Sequence, residues 1–189
     1  LVLQLAVSLV AQTEGYDTAA FDAALQKIDA LTKSAMRASE QEAQDFAKDF
    51  QDVPFLYVMG SGASFSAAYM ESICVLMEMQ WIHSAAIHTG DYFHGPFETT
   101  DKSLPMVLLM DEGRTRALDE RCLTFLKTYA ENYIVIDFQA INKGRIDHAV
   151  AEFFSPVVMV PVERFYVSQM AIATGHSMDY RRYMWKVSY

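Results

Sequence analysis

The chain has 189 residues, 52% of them apolar, and a formal net charge of −9 from 24 acidic and 15 basic side chains. That length and apolar share suffice for one domain with a proper core. The acidic balance argues against a nucleic-acid partner, for want of the basic surplus that neutralises a phosphate backbone, so any anionic ligand must be met by local positive charge. Cys74 and Cys122 fall in predicted helices and read as reduced thiols of a cytoplasmic protein.

Leu1 to Ala11 is apolar apart from Gln4 and Ser8. It is too short to span a bilayer, and no basic region precedes it as a signal peptide requires. It reads as the closing helix of a preceding unit. Gly15 and Asp17 interrupt the pattern, Thr18 can cap a new helix, and residues 18–50 are helical in character with Phe21, Leu25, Ile28 and Leu31 on one face. A break is expected within 34–39.

Residues 54–59 form an apolar run without alternation, as in a strand buried on both faces of a parallel sheet. Gly60, Ser61, Gly62 and Ser64 follow, a turn that opens a helix. Such a turn aims free N–H groups and the positive end of the helix dipole at one spot, which suits a phosphate, although it is neither a Walker loop nor a GxGxxG motif. The helix expected over 64–79 carries Glu71 and Glu78, whose spacing of seven is close to two α-helical turns and places both carboxylates on one face. Buried carboxylates must be paired or employed.

A second buried strand over 81–87 leads into a shaped loop at 88–98, punctuated by Gly90 and Gly95-Pro96. His83, His88 and His94 lie within twelve residues, but with no cysteine partner and no i, i+4 pair they do not read as metal ligands. His83 reads as a core histidine. Asp91 and Glu98 either orient His94 or are solvated loop acids.

A third strand, 105–110, ends at Asp111–Arg114, the strand end where open α/β sheets place ligands. Arg114 and Arg116 are phosphate candidates or plain surface residues. A helix at 117–131, strands at 133–138 and 156–160, and a helix at 162–174 complete the alternation. His148 reads as structural and His176 as an outside candidate for the site. The tail, 177–189, holds Arg181, Arg182, Lys186 and several aromatics, the make-up of a lid over an anionic substrate. The expected fold is α/β: a three-layer, doubly wound, five-stranded parallel sheet in flavodoxin-like order over residues 52–176.

The block Met77-Glu78-Met79-Gln80-Trp81-Ile82-His83, running on through His88-Thr89-Gly90-Asp91-Tyr92-Phe93-His94-Gly95-Pro96, resembles the second sugar isomerase (SIS) domain of fructosamine-6-phosphate deglycases. These are related to the isomerase half of glucosamine-6-phosphate synthase. The resemblance implies that residues 1–51 are the end of a first SIS domain and a helical connector, and that the missing domain supplies the Ser/Thr-rich phosphate loop. It implies Glu78 as general base and His94 as the ring-opening acid, facing the neighbouring subunit's site. It also implies that Lys186, in a tail with the synthase's Asp179-to-Lys186 spacing, closes over the open sugar.

Arg181 and Arg182 would neutralise the phosphate, with Gly60, Ser61, Gly62, Ser64, Glu71 and Asp91 as further substrate-binding candidates. One departure is Val75, where the synthase has a lysine; it weakens the amino-sugar isomerase reading. The implied reaction is deglycation of a fructose–amino acid 6-phosphate to glucose 6-phosphate and the free amine, without metal or organic cofactor. A sugar-phosphate isomerase and a non-catalytic sugar-phosphate sensor are the alternatives. The expected partners are a sugar phosphate and a second copy of the chain, in the cytoplasm, with no membrane.

Overall fold

The structure is a computed structural model that describes residues 1–188. Four helices come first: α1 (Val2–Glu14), α2 (Ala19–Leu25), α3 (Ile28–Ala38) and α4 (Glu40–Phe50). Gly15 ends α1 in the left-handed region at φ 68°, and the α3–α4 break falls at Ser39, within the expected interval. Strand β1 (Phe55–Gly60) then leads into α5 (Ser64–Met70), which continues without interruption as a π-helix, Glu71–Gln80. Next come β2 (His83–His88), two 3₁₀ turns (Tyr92–His94 and Pro96–Thr99), β3 (Met106–Met110), α6 (Arg116–Tyr129), β4 (Tyr133–Asp137), α7 (Phe138–Asn142) and α8 (His148–Thr174).

The four strands form one parallel sheet in the order β2-β1-β3-β4, with Phe55 opposite His83, Val58 opposite Val107 and Met110 opposite Asp137. The order puts β1 and β3 inside, and the five residues of β3 are all buried, as an unbroken apolar run requires. Alternation along the strands sorts side chains to two faces. Leu56, Val58, Val107, Leu109 and Ile136 join a cluster with Phe21, Leu31, Phe46 and Phe154 from the long and early helices. Met59, Met106, Leu108 and Met110 join Tyr92, Cys122 and Leu126 on the other side. Helices α2, α3 and α4 therefore share the sheet's own core.

The expected strand at 156–160 is helix: these residues lie inside α8, between Pro156 and Pro161. The run Pro-Val-Val-Met-Val-Pro has the length and β-branching of a short buried strand and is bounded by residues that usually end helices. Each interior proline costs about 3 kcal/mol of helix. Against that, Val150, Phe154, Val158, Met159, Val162, Val167 and Met170 are buried at helical spacing, each worth roughly 1.5–3 kcal/mol. Packing outweighs propensity. Pro156 also frees the carbonyl of Glu152, and the Ser155 hydroxyl donates to it at 3.2 Å. The sheet thus has four strands rather than five.

Candidate active site

The expected site residues fall into three places. The first is a cleft of about 520 Å³ at the amino edge of the sheet, lined by Glu78, Trp81 and His83 on one side and Arg181, Arg182 and Tyr183 on the other. Its floor is the end of the π-helix, and its wall is the tail folded back over it. The π-helix stops at Trp81, which takes φ 60°, rare for a large side chain, and so sends the chain into β2. The displaced indole becomes the anchor of the tail. The Arg182 guanidinium lies 4.3 Å over its ring and the His176 ring packs edge-on at 4.5 Å. Beneath it, the Gln80 amide donates to the His176 carbonyl at 3.2 Å.

Within the cleft Arg181 Nε lies 3.1 Å from Glu78 Oε1, with side chains 11% and 30% exposed. The Nε hydrogen is not aimed at the carboxylate and has no partner among the described residues. Arg181 is held instead through Nη1, which donates to the carbonyls of Met178 at 2.9 Å and Tyr180 at 2.8 Å. The guanidinium is thus fixed by the tail's own backbone, and one face of Glu78 stays open to the cleft. Lys186 donates to the Arg181 carbonyl and lines a neighbouring cleft with Trp185. His83, expected in the core, is exposed and lines the Glu78 cleft.

The second place is the carboxyl edge, where Gly60, Ser61, Gly62, Ser64, Asp91 and His94 stand. The two edges are separated by the six residues of β2, roughly 17 Å at 3.3 Å per residue. Here two internal acids pack beside the turn expected to take a phosphate. The Asp111 carboxylate faces the start of α5; burial raises its pKa, partly offset by the Ser155 hydroxyl and the N–H groups of Glu112 and Ser64. The Asp119 carboxyl is raised by burial too, and it accepts from Thr89 Oγ1 at 2.7 Å and from Asp111 N at 3.1 Å.

The Ser61 hydroxyl donates to the Thr115 carbonyl at 3.3 Å, and Ser64 Oγ lies 3.2 Å from Ser155 Oγ. Gly62, at φ +52°, is packed so tightly that a Cβ would come within 2.3 Å of Thr115 Oγ1. Of the turn's groups, the Ser64 N–H acts on the Asp111 carboxylate and the Ser61 hydroxyl on that of Asp119, so an added phosphate would meet two acids there. His94 and Asp91 are both exposed, and no side-chain hydrogen bond joins the His94 ring to Asp91 or Glu98 among the described residues. Arg114 and Arg116 are spent on Glu152 and Asp137.

The third place is the core. Glu71 is 3% exposed and lines the same small hollow, about 10 Å³, as Glu163 of α8, itself 2% exposed. Burial pushes the Glu71 carboxyl up to about 8, opposed by the Arg164 charge, and raises the Glu163 carboxyl well above its ordinary range too, with Glu71 adding to the effect. The expectation that Glu71 and Glu78 share one face fails for a local reason. The i→i+5 pattern of a π-helix turns less per residue than an α-helix, so seven residues fall well short of two turns. One carboxyl faces the core, the other the cleft.

No trio of His, Cys, Asp or Glu among the described residues could hold a metal ion, and none of their helices is long and apolar enough to cross a membrane. Both cysteines are free; burial pushes the Cys122 thiol up to about 12. Sequence reasoning missed Glu163 and Asp119 and took Asp111 only as part of a ligand-side loop; for Glu163 the one signal is an acid after an apolar run, and Asp119, among charged helix residues, carries none.

No family model matches the chain. It is 44% identical over 165 residues to the fructosamine deglycase FrlB of Bacillus subtilis, covering 87% of this chain and 50% of that protein. It is 30% identical over 149 residues to the fructoselysine 6-phosphate deglycase of Escherichia coli K12, covering 78% of this chain and 42% of that one. Among solved structures, a candidate phosphosugar isomerase of Bacillus subtilis superposes with a TM-score of 0.95 at 39% identity, covering all of this chain and 58% of its own. The chain spans about half the length of the curated relatives it matches.

Proposed function

From this homology to about half of a fructosamine deglycase as premise, we propose that the chain is the part of a fructosamine-6-phosphate deglycase that carries the general base. It corresponds to the second of two SIS domains, with the doubly wound arrangement of that family. Residues 1–51 are its connector and residues 177–189 its closing tail. The observation that carries the reading is the tail-covered cleft around Glu78, in which one carboxylate edge is free and the surrounding tail is cationic.

In the proposed reaction the open-chain substrate carries its amine on C1 and a carbonyl at C2. Glu78 removes a proton from C1, giving an enaminol; the proton returns at C2, giving an imine between C1 and the amine nitrogen. Water adds to that imine and releases the amine, leaving glucose 6-phosphate. Arg181 fixes the carboxylate, and Arg182 and Lys186 meet the substrate's anionic end as the tail closes, excluding water from the proton transfers.

His94 opens the sugar ring. It stands at the far edge of its own sheet, which is what a residue serving a second subunit's cleft requires; the functional unit is a two-fold dimer. The phosphate loop comes from the length that the relatives have and this chain lacks. With the Asp111 and Asp119 carboxylates beside the turn, Gly60, Ser61, Gly62 and Ser64 act as scaffold in this reading, as do Glu71 and Asp91.

The test is Glu78→Gln in the full-length protein, with glucose 6-phosphate release from several fructosamine 6-phosphates as readout. A loss of about a hundred- to ten-thousand-fold in kcat with the substrate still bound is expected. Turnover above a third of the parent rate removes Glu78 as base. Interconversion of aldose and ketose phosphates without amine release would identify the isomerase alternative, and binding without any turnover the sensor.

A further inference from the structure

We infer a second anion site, remote from the Glu78 cleft and independent of the reaction proposed above, in the groove between α3 and the turn after α7. Two adjoining hollows of about 220 and 470 Å³ meet there, sharing Ser34 and Arg145 in their walls. Lys143 lines the first and Lys27 the second. The groove lies beyond the carboxyl end of β4, the side on which open parallel sheets place ligands.

The charge balance in this groove points to an anion. Of its two acids, Asp137 is neutralised by Arg116, Nη1 to Oδ1 at 2.8 Å and Nη2 to Oδ2 at 2.9 Å, and Glu42, which accepts from the Tyr166 hydroxyl at 3.0 Å, is the one carboxylate set against three further cations. The three remaining cations have no carboxylate partner among the described residues. The Lys27 ammonium bonds only to the Arg145 carbonyl, which ties the start of α3 to the turn. In a chain of net charge −9, three unpaired cations around one concavity form a local positive field.

The turn is also shaped for it. Lys143 and Gly144 both take positive φ, at 49° and 73°, so the chain reverses there and brings Lys143 and Arg145 to the same groove. For Lys143 that conformation is costly, since a residue with a Cβ is uncommon there. A ligand with two negative charges and several oxygen acceptors, a small phosphate monoester, matches a guanidinium, an ammonium and the Ser34 hydroxyl.

The probe is inorganic phosphate, titrated at constant ionic strength into the 189-residue chain and followed by calorimetry and thermal shift. A saturable response is expected, weakened roughly tenfold or more in K143Q/R145Q and kept in R182Q, which alters only the Glu78 cleft. A second measurement needs no variant: phosphate should slow acetylation of Lys143 and Lys27 but not of Lys33 or Lys48. No saturable response, an equal response in K143Q/R145Q, a response lost in R182Q alone, or uniform protection of all four lysines overturns the site.

Discussion

Arg181 stands against Glu78 without hydrogen-bonding to it through Nε: the two atoms are 3.1 Å apart, yet the Nε hydrogen points elsewhere and the guanidinium is held by two tail carbonyls. The pair is therefore an electrostatic contact whose geometry is set by the tail, and the acid keeps its lone pairs for another partner. On the proposed reaction, Arg181→Gln lowers kcat by up to about a hundredfold, since small misplacements of a working group cost that much. Arg181→Lys does not restore it, because an ammonium cannot make both carbonyl bonds and stay beside Glu78. Steady-state kinetics of both variants check this; unchanged kcat would reduce Arg181 to packing.

Glu78 and His94 lie at opposite edges of one sheet, so two defective proteins can complement each other if the site is shared between subunits. Mixing Glu78→Gln with His94→Ala, each inactive alone, restores up to about a quarter of the activity from mixed dimers with one intact site of two. Activity that stays at baseline while mass spectrometry shows subunit exchange refutes the shared site.

Trp81 combines a left-handed backbone with a stacked indole. Trp81→Gly relieves the first and removes the second, so the melting temperature shifts by only a few degrees while KM rises and kcat falls through loss of the tail's anchor. Calorimetry and kinetics on the same preparation separate the two effects. A variant that keeps its kinetic constants would show that the tail closes without this clamp.

The buried acid pair makes stability pH-dependent, and the sign follows from the direction of the shifts. Glu71 ionises near its ordinary value of 4.5 when unfolded but only at about 8 when folded, so between those values the folded state holds the extra proton. Stability falls as pH rises through that window; Glu163, Asp111 and Asp119, also raised, act in the same direction. Glu71→Gln is neutral near pH 4 and stabilising by on the order of a few kcal/mol near pH 7.5. Urea unfolding at the two pH values measures it, and an equal effect at both would mean that the pair is not protonated in the fold.

Gly62 is required by both its φ of +52° and its contact with Thr115. Gly62→Ala should cost about 1–3 kcal/mol through strain and overpacking. Thr115→Ser, which removes the methyl but keeps the hydroxyl that clashes, should not rescue it, whereas Thr115→Ala should recover part. Unfolding midpoints of the three proteins decide the matter.

Much of this protein could be read from its residues. The unbroken apolar runs at 55–60 and 106–110 specify buried parallel strands, Gly15 specifies the end of α1, and the block from Met77 to Glu98 carries the likeness to deglycases, because these signals are local. What only the tertiary structure decided depends on neighbours distant in sequence. Residues 156–160 become helix because the groove between the sheet and α3–α4 rewards a 27-residue rod more than two prolines penalise it. Glu71 and Glu78 part company because the helix opens to a π-helix, a change of pitch with no signature in the spacing of acids. The Gly60–Ser64 turn is crowded by carboxylates because Asp111 and Asp119 arrive from the end of β3 and from α6, and the Glu78 cleft exists because a tail a hundred residues later folds back onto Trp81. Long-range packing selects among options that local chemistry leaves equal.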